Sequence, residues 1–263
     1  MFGSEQGLVQ LRILLRFAYI LLGEFRYPIR LRAAILHGSL PRDFYPKAVW
    51  DAGCGEGQTS FWLSKRFSNA QVIGTDIEKE NIERCNYIAK YLKRSNVTFR
   101  QMDLLGDGLQ SIDLIVCSDV LEHIDKYGEV LRIFAGSLNP EGLLVIHTPA
   151  DNSFQSSKWG LRRFMYSENR VIRSHERGQY HIRPGFNLDE LTCEIQAVGF
   201  YVLKRQYTFG PIAMFAHNIY EWTRSRSKIW QIMTLWPLLI LGYLDMSLSF
   251  PTGGGILIVA QRK

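Results

Sequence analysis

Four acidic residues close or follow apolar, β-branched runs: Asp51 after Ala48-Val49-Trp50, Asp76 after residues 71–75, Asp103 after residues 97–102, and Asp119 after residues 113–118. A single aspartate in such a place often only caps the next helix. Four in series around one glycine loop point to a ligand, because open α/β sheets bind ligands beyond the carboxyl ends of their strands. The loop is Asp51-Ala52-Gly53-Cys54-Gly55-Glu56-Gly57, and its glycines permit a tight turn with close approach of backbone to ligand. It is not the dinucleotide fingerprint G-x-G-x-x-G. The third glycine comes one residue early, Gln58 stands at the last position, and Asp51 and Glu56 would face a pyrophosphate. Charge repulsion disfavours that phosphate and favours a ligand carrying an ammonium and a sulfonium. Asp76 is placed to accept hydrogen bonds from both hydroxyls of a ribose, and Asp103 from an exocyclic adenine amine. His123, after the fourth strand, and His147, at the end of the fifth, are candidate general bases, since imidazole titrates near neutrality. Each could equally serve as an orienting hydrogen-bond partner. Cys54, Cys85, Cys117 and Cys193 stand far apart with no Cys-x-x-Cys pair, so no metal site and no disulfide framework is expected.

These side chains need a scaffold that brings strand ends together. Short β-rich runs at 48–50, 71–75, 97–102, 113–117 and 142–147 alternate with helical patterns at 61–67 and 79–93, the mark of a parallel sheet with covering helices. Residues 201–209 and 256–260 supply two further strands. The fold class expected is α/β, a Rossmann-like sheet with helices on both faces and an insertion before the last strand.

Val49–Gly57, Ile73–Ile77, Asp113–Ile124 and Leu138–Val145 together resemble the successive motifs of class I S-adenosylmethionine-dependent methyltransferases. His181–Leu191 with Val198-Gly199-Phe200 is similar to the segment before the last strand pair in the small-molecule branch that includes quinone methyltransferases. The resemblance implies a seven-stranded sheet, mostly parallel with the last strand antiparallel, and S-adenosylmethionine as cofactor. It implies a binding set of Asp51, Ala52, Gly53, Cys54, Gly55 and Gly57 for the methionine end. Asp76 would serve the ribose, Asp103 with Leu104 the adenine, and Ile77, Ser118 and Asp119 complete the set. Asn139-Pro140-Glu141-Gly142 departs from the Lys-Pro-Gly-Gly turn common in the family, away from the cofactor.

The chain of 263 residues is 46% hydrophobic and 21% charged, which excludes a disordered polymer. Its net charge of +6 suits nucleic acid or an anionic membrane. Residues 8–22 form an apolar run interrupted by Arg12 and Arg16, which reads as an amphipathic helix and not as a secretory leader. Residues 229–244 are apolar but short, contain Pro237, and follow Arg224, Arg226 and Lys228; they fall short of a spanning helix. The expected organisation is a basic helical segment at 1–45, a core at 46–209 plus 256–263, and a helical apolar insertion at 210–255. Residues 153–187, rich in Arg, Ser and aromatics, read as a substrate lid. Three readings stand. The first is methyl transfer to a small, amphipathic or lipid-linked acceptor, by a cytoplasmic protein peripheral on the inner membrane face. The second is a nucleic-acid methyltransferase, against which no Asn/Asp-Pro-Pro-Tyr/Phe motif follows the fourth strand. The third is a non-catalytic, membrane-associated binding protein on the same fold. The sequence leaves acceptor identity and oligomeric state open.

Overall fold

Val- and Ile-rich runs give the chain its sheet. In a computed structural model, in which residues 26–151, 182–226 and 228–263 are described, seven strands lie in the order β3-β2-β1-β4-β5-β7-β6. They are β1 (Ala48–Ala52), β2 (Gln71–Asp76), β3 (Val97–Gln101), β4 (Ile112–Ser118), β5 (Leu138–Pro149), β6 (Phe200–Thr208) and β7 (Gly255–Arg262). The first five pair in parallel, and β7 runs antiparallel to both β5 and β6. The expected architecture therefore stands. Strand order reverses between β1 and β4, and it is at such a switch point that a crevice opens above the carboxyl ends.

Seven helices are found among the described residues: α1 (Tyr27–Ser39), α2 (Gln58–Arg66), α3 (Lys79–Tyr91), α4 (Tyr127–Ser137), α5 (Leu188–Ala197), α6 (Pro211–Arg226) and α7 (Lys228–Met246). α2 begins three residues earlier than the periodicity indicates, directly on Gly57, whose positive φ of 78° ends the loop. Between β4 and α4 the chain makes a single 3-10 turn at Leu121–His123.

Apolar side chains fill both faces of the sheet. One layer gathers Phe61, Phe99, Ile88, Tyr27 and Leu239; the other gathers Trp50, Phe134, Ile115 and Phe200. Trp50 is fully buried with its ring edge-on to Phe134, and its indole N–H donates to Thr75 Oγ1 at 2.8 Å, as a buried indole requires.

The insertion between β6 and β7 is a pair of helices, α6 and α7. Asp245, near the end of α7, accepts from the amides of Gly210, Ile212 and Ala213 at 2.8–3.1 Å, so the last turn of one helix caps the first turn of the other. α1 packs against this pair. Tyr27 donates its hydroxyl to Ala213 O at 3.2 Å, and a Cβ at Gly242 would lie 2.8 Å from that hydroxyl and 3.0 Å from Leu31. Pro237 stands inside α7. No helix among the described residues is long and apolar enough to cross a membrane. The amphipathic helix expected at 8–22 and most of the expected lid (its residues 153–181, including His175, His181 and Arg162) lie outside the described residues.

Candidate active site

The glycine loop is folded onto the end of β2. Gly53 and Cys54 both donate their amides to Thr75 O, at 2.8 and 2.7 Å, and Gly57 donates to Cys54 O at 2.8 Å. Gly53, Gly55 and Gly57 all have positive φ, a region open to glycine at little cost, yet their surroundings differ. A Cβ at Gly53 would lie 2.3 Å from Val120, and one at Gly57 would lie 2.7 Å from Cys85 Sγ. At Gly55 it would meet nothing within 4 Å. Two of the glycines are thus needed for packing, and the middle one borders open space.

Asp76 is held from two sides. Its Oδ2 accepts from Gly55 N at 2.8 Å and its Oδ1 from Glu78 N at 2.9 Å, which leaves a lone pair on each oxygen for a diol. Asp103 stands beyond β3 with Oδ1 accepting from Leu105 N at 2.9 Å; Leu104 beside it is buried, and Ile77 is exposed. Asp51 lies inside β1 and is buried, with Ser60 Oγ donating to its Oδ2 at 2.5 Å. Burial pushes its carboxyl up to about 7, against the hydrogen bonds from Ser60, and the nearby Asp76 charge adds to the rise.

Glu56 corrects the sequence reading. It is no bare attractor for a cation, because Arg26, preceding α1, approaches it at 3.3 Å and Arg84 of α3 at 3.8 Å. Its charge is offset by two guanidinium groups before any ligand arrives.

On the other side of the crevice, Ser118 and Asp119 follow β4. The Ser118 hydroxyl is buried without a hydrogen-bond partner among the described residues, a condition a polar ligand would relieve. Asp119 sits at φ 55°, and its amide donates to His147 O at 2.8 Å. Its carboxylate lies between His147 Nδ1, at 3.0 Å, and Arg32 of α1. His147 Nε2 in turn meets Thr208 Oγ1 at 3.1 Å. With 3% exposure and both ring nitrogens engaged, His147 is poorly placed to touch substrate. It braces Asp119 instead, linking the ends of β4, β5 and β6. His123 closes the 3-10 turn and is half-buried, leaving it the better placed of the two histidines.

Sequence reasoning missed Glu122. Its side chain is 1% exposed, and Thr148 Oγ1 donates to its Oε2 at 3.1 Å. Burial, reinforced by the Asp119 charge, raises its carboxyl well above the usual range and favours the protonated form. Its carbonyl accepts from Ile182 N and Arg183 N at 3.0 and 3.3 Å. An acid within Leu121-Glu122-His123 reads as solvated; only its burial under Thr148 distinguishes it.

Adenosyl ligands suit this arrangement: a backbone cradle with room at Gly55 and a fixed carboxylate at Asp76 for a diol. Residues 46–186 match the family model of a methyltransferase domain. Among curated proteins the chain is 29% identical over 161 residues to a malonyl-[acyl-carrier protein] O-methyltransferase of Methylovorus sp., covering 57% of this chain and 53% of that protein. It is 29% identical over 150 residues to the mitochondrial ubiquinone biosynthesis O-methyltransferase of Saccharomyces cerevisiae, covering 55% of this chain and 45% of that one. The chain thus spans about half the length of these two relatives. A ubiquinone biosynthesis O-methyltransferase of Coxiella burnetii is 27% identical over 190 residues, 65% of this chain and 78% of that protein. In fold, the geranyl diphosphate C-methyltransferase of Streptomyces coelicolor superposes with a TM-score of 0.61 at 16% identity, over 89% of this chain and 79% of that one.

Proposed function

The chain belongs to the methyltransferase-domain family, and from that premise we propose that it transfers a methyl group from S-adenosylmethionine to a small, amphipathic or lipid-linked acceptor. The observation that carries this reading is the pairing of an open position at Gly55 with the doubly anchored Asp76 carboxylate. The cofactor contributes an electrophilic methyl on a sulfonium. The residues proposed to hold it are Asp51, Ala52, Gly53, Cys54, Gly55 and Gly57 at the methionine end, Asp76 and Ile77 at the ribose, Asp103 and Leu104 at the adenine, with Ser118 and Asp119 beside them.

Methyl transfer is an in-line displacement, so the protein's part is chiefly to align two reactants and exclude water. For an oxygen or nitrogen acceptor, His123 takes the proton, and the Asp119–His147–Thr208 chain keeps the wall beside it rigid. The acceptor enters from the side where α1 and the α6–α7 pair meet, and the protein works in the cytoplasm at the inner membrane face. Support comes from the relatives whose names specify ubiquinone biosynthesis and from the apolar character of α7.

Labelled cofactor offered in parallel with membrane lipid extracts, soluble metabolites and RNA tests the acceptor class. Label is expected in the lipid or apolar metabolite fraction. Label confined to RNA would overturn the acceptor reading. Calorimetric heat with NAD and none with S-adenosylmethionine or S-adenosylhomocysteine would overturn the whole assignment.

A further inference from the structure

A helix on the surface of a globular protein ordinarily turns polar residues to water and an apolar stripe to the core. α7 is apolar on both sides. Its inner side, with Leu235, Leu238 and Leu239, is buried, and Gly242 lies against α1. Its outer side carries Trp230, Met233, Trp236, Ile240, Tyr243 and Leu244, with exposures of 56%, 64%, 45%, 59%, 44% and 53%. These positions recur at intervals of three, four and one, a sector roughly 140° wide at 3.6 residues per turn, and no charged side chain interrupts it. Isolated exposed apolar residues are ordinary; a continuous stripe of this kind marks an interaction surface.

Two features indicate what covers it. The residue types are those of a bilayer boundary, with two tryptophans and a tyrosine among the aliphatic side chains. Cations stand around the stripe: the Arg30 guanidinium lies over the Trp236 ring at 4.8 Å, Arg226 lies over Trp222 at 5.0 Å, and Arg224, paired with Glu221 at 2.6 Å, is exposed one turn before α7 begins. Apolar centre and basic rim together match a membrane surface bearing anionic headgroups. A helix that does not meet the length and apolarity needed to span can still lie flat in that boundary.

We propose that the outer face of α7, rimmed by Arg30, Arg224 and Arg226, docks in the plane of an anionic lipid bilayer. The inference deepens the reading of an amphipathic acceptor and rests on it for its purpose. Its test is separable, because vesicle binding is read without any methyl transfer.

The full chain is floated on vesicles of phosphatidylcholine alone and of phosphatidylcholine with an equal part of phosphatidylglycerol, at low and high salt. The protein is expected to float with the anionic vesicles and to lose most of that binding at high salt. Met233→Ser/Ile240→Ser/Leu244→Ser, all on the outer side, should lower vesicle partition by about tenfold or more. Arg224→Glu/Arg226→Glu should lower it on anionic vesicles only. Both variants should keep the parent's melting temperature and S-adenosylhomocysteine affinity, which shows that fold and cofactor site survive. Three outcomes would overturn the proposal. One is a parent that stays unbound on both vesicle types. The second is a triple variant that floats like the parent, which would assign binding to another segment such as residues 8–22. The third is a parent that does not float but forms a dimer the triple variant dissolves, which would make the face a contact between copies. Failure of cofactor binding in the parent would count against the methyltransferase reading and leave the flotation result intact.

Discussion

Replacing Asp51 by asparagine should stabilise the protein while impairing it. Asp51 is 2% exposed, and burial moves its carboxyl from an ordinary 3.8 to about 7. Each unit corresponds to about 1.36 kcal/mol, so ionised Asp51 costs the folded state roughly 4 kcal/mol. The sign follows from proton binding. Between about pH 4 and pH 7 the folded chain holds a proton that the unfolded chain has released, so stability falls as pH rises through that window, and the loss is complete above 7. Asparagine does not titrate, and its amide oxygen can keep the hydrogen bond from Ser60. Parent and Asp51→Asn should therefore match near pH 4. They should differ by roughly 4 kcal/mol at pH 8, with more than half of that gap opening between pH 5 and 8. Urea unfolding at several pH values, with midpoints compared at constant m, measures the gap. Parallel pH profiles for the two proteins would refute the reasoning. Cofactor affinity of the variant should fall, because the destabilising charge is the one that attracts a cationic ligand, a trade between stability and function.

Asp76→Ala removes the acceptor for both Gly55 N and Glu78 N, and calorimetry should show S-adenosylhomocysteine affinity at least about tenfold weaker. Gly53→Ala should lower the melting temperature through its contact with Val120, whereas Gly55→Ala, strained only by its φ of 50° and with nothing within 4 Å, should lose cofactor affinity out of proportion to its stability. Glu122→Gln should match the parent in acid and gain stability over it as pH rises through the raised titration of Glu122, as denaturation at both ends of the range would reveal.

The sheet was legible because its signals are local and repeated. Each central strand is a short β-branched run closed by an acid or a turn, and the parallel order follows once helices separate those runs. The crevice at the glycine loop was legible for a related reason: Asp51, the glycines and Asp76 lie within one strand–loop–helix–strand unit, where chain spacing and spatial spacing are nearly the same. The opposite wall, beyond β4 and β5, depends on long-range contacts. His147 reads as a reactive imidazole until Thr208, at the end of another strand, is seen to occupy its Nε2. Glu122 reads as a surface acid until β5 delivers Thr148 beside it. Neither pairing leaves any period or spacing in the sequence.

The basic excess shows the same division in electrostatic terms. The sequence places arginines at 26, 30 and 32 within its basic N-terminal segment. In the fold, Arg26 faces Glu56 of the glycine loop and Arg32 faces Asp119 across the crevice, while Arg84 meets Glu56 from α3. A site that gathers Asp51, Glu56, Asp76, Asp119 and Glu122 at the ends of adjacent strands would repel itself on folding. Arginines brought in from the flanking helices offset Glu56 and Asp119, and burial favours the proton on Glu122. Asp76 is held by backbone amides, and Asp51 by Ser60. Asp76 is therefore the acid left to set the sign of the field a ligand meets, joined by Asp51 only as its raised carboxyl ionises near 7. Arg26, Arg32 and Arg84 are thus engaged inside the fold, and the net charge of +6 overstates what these helices offer an external anionic surface.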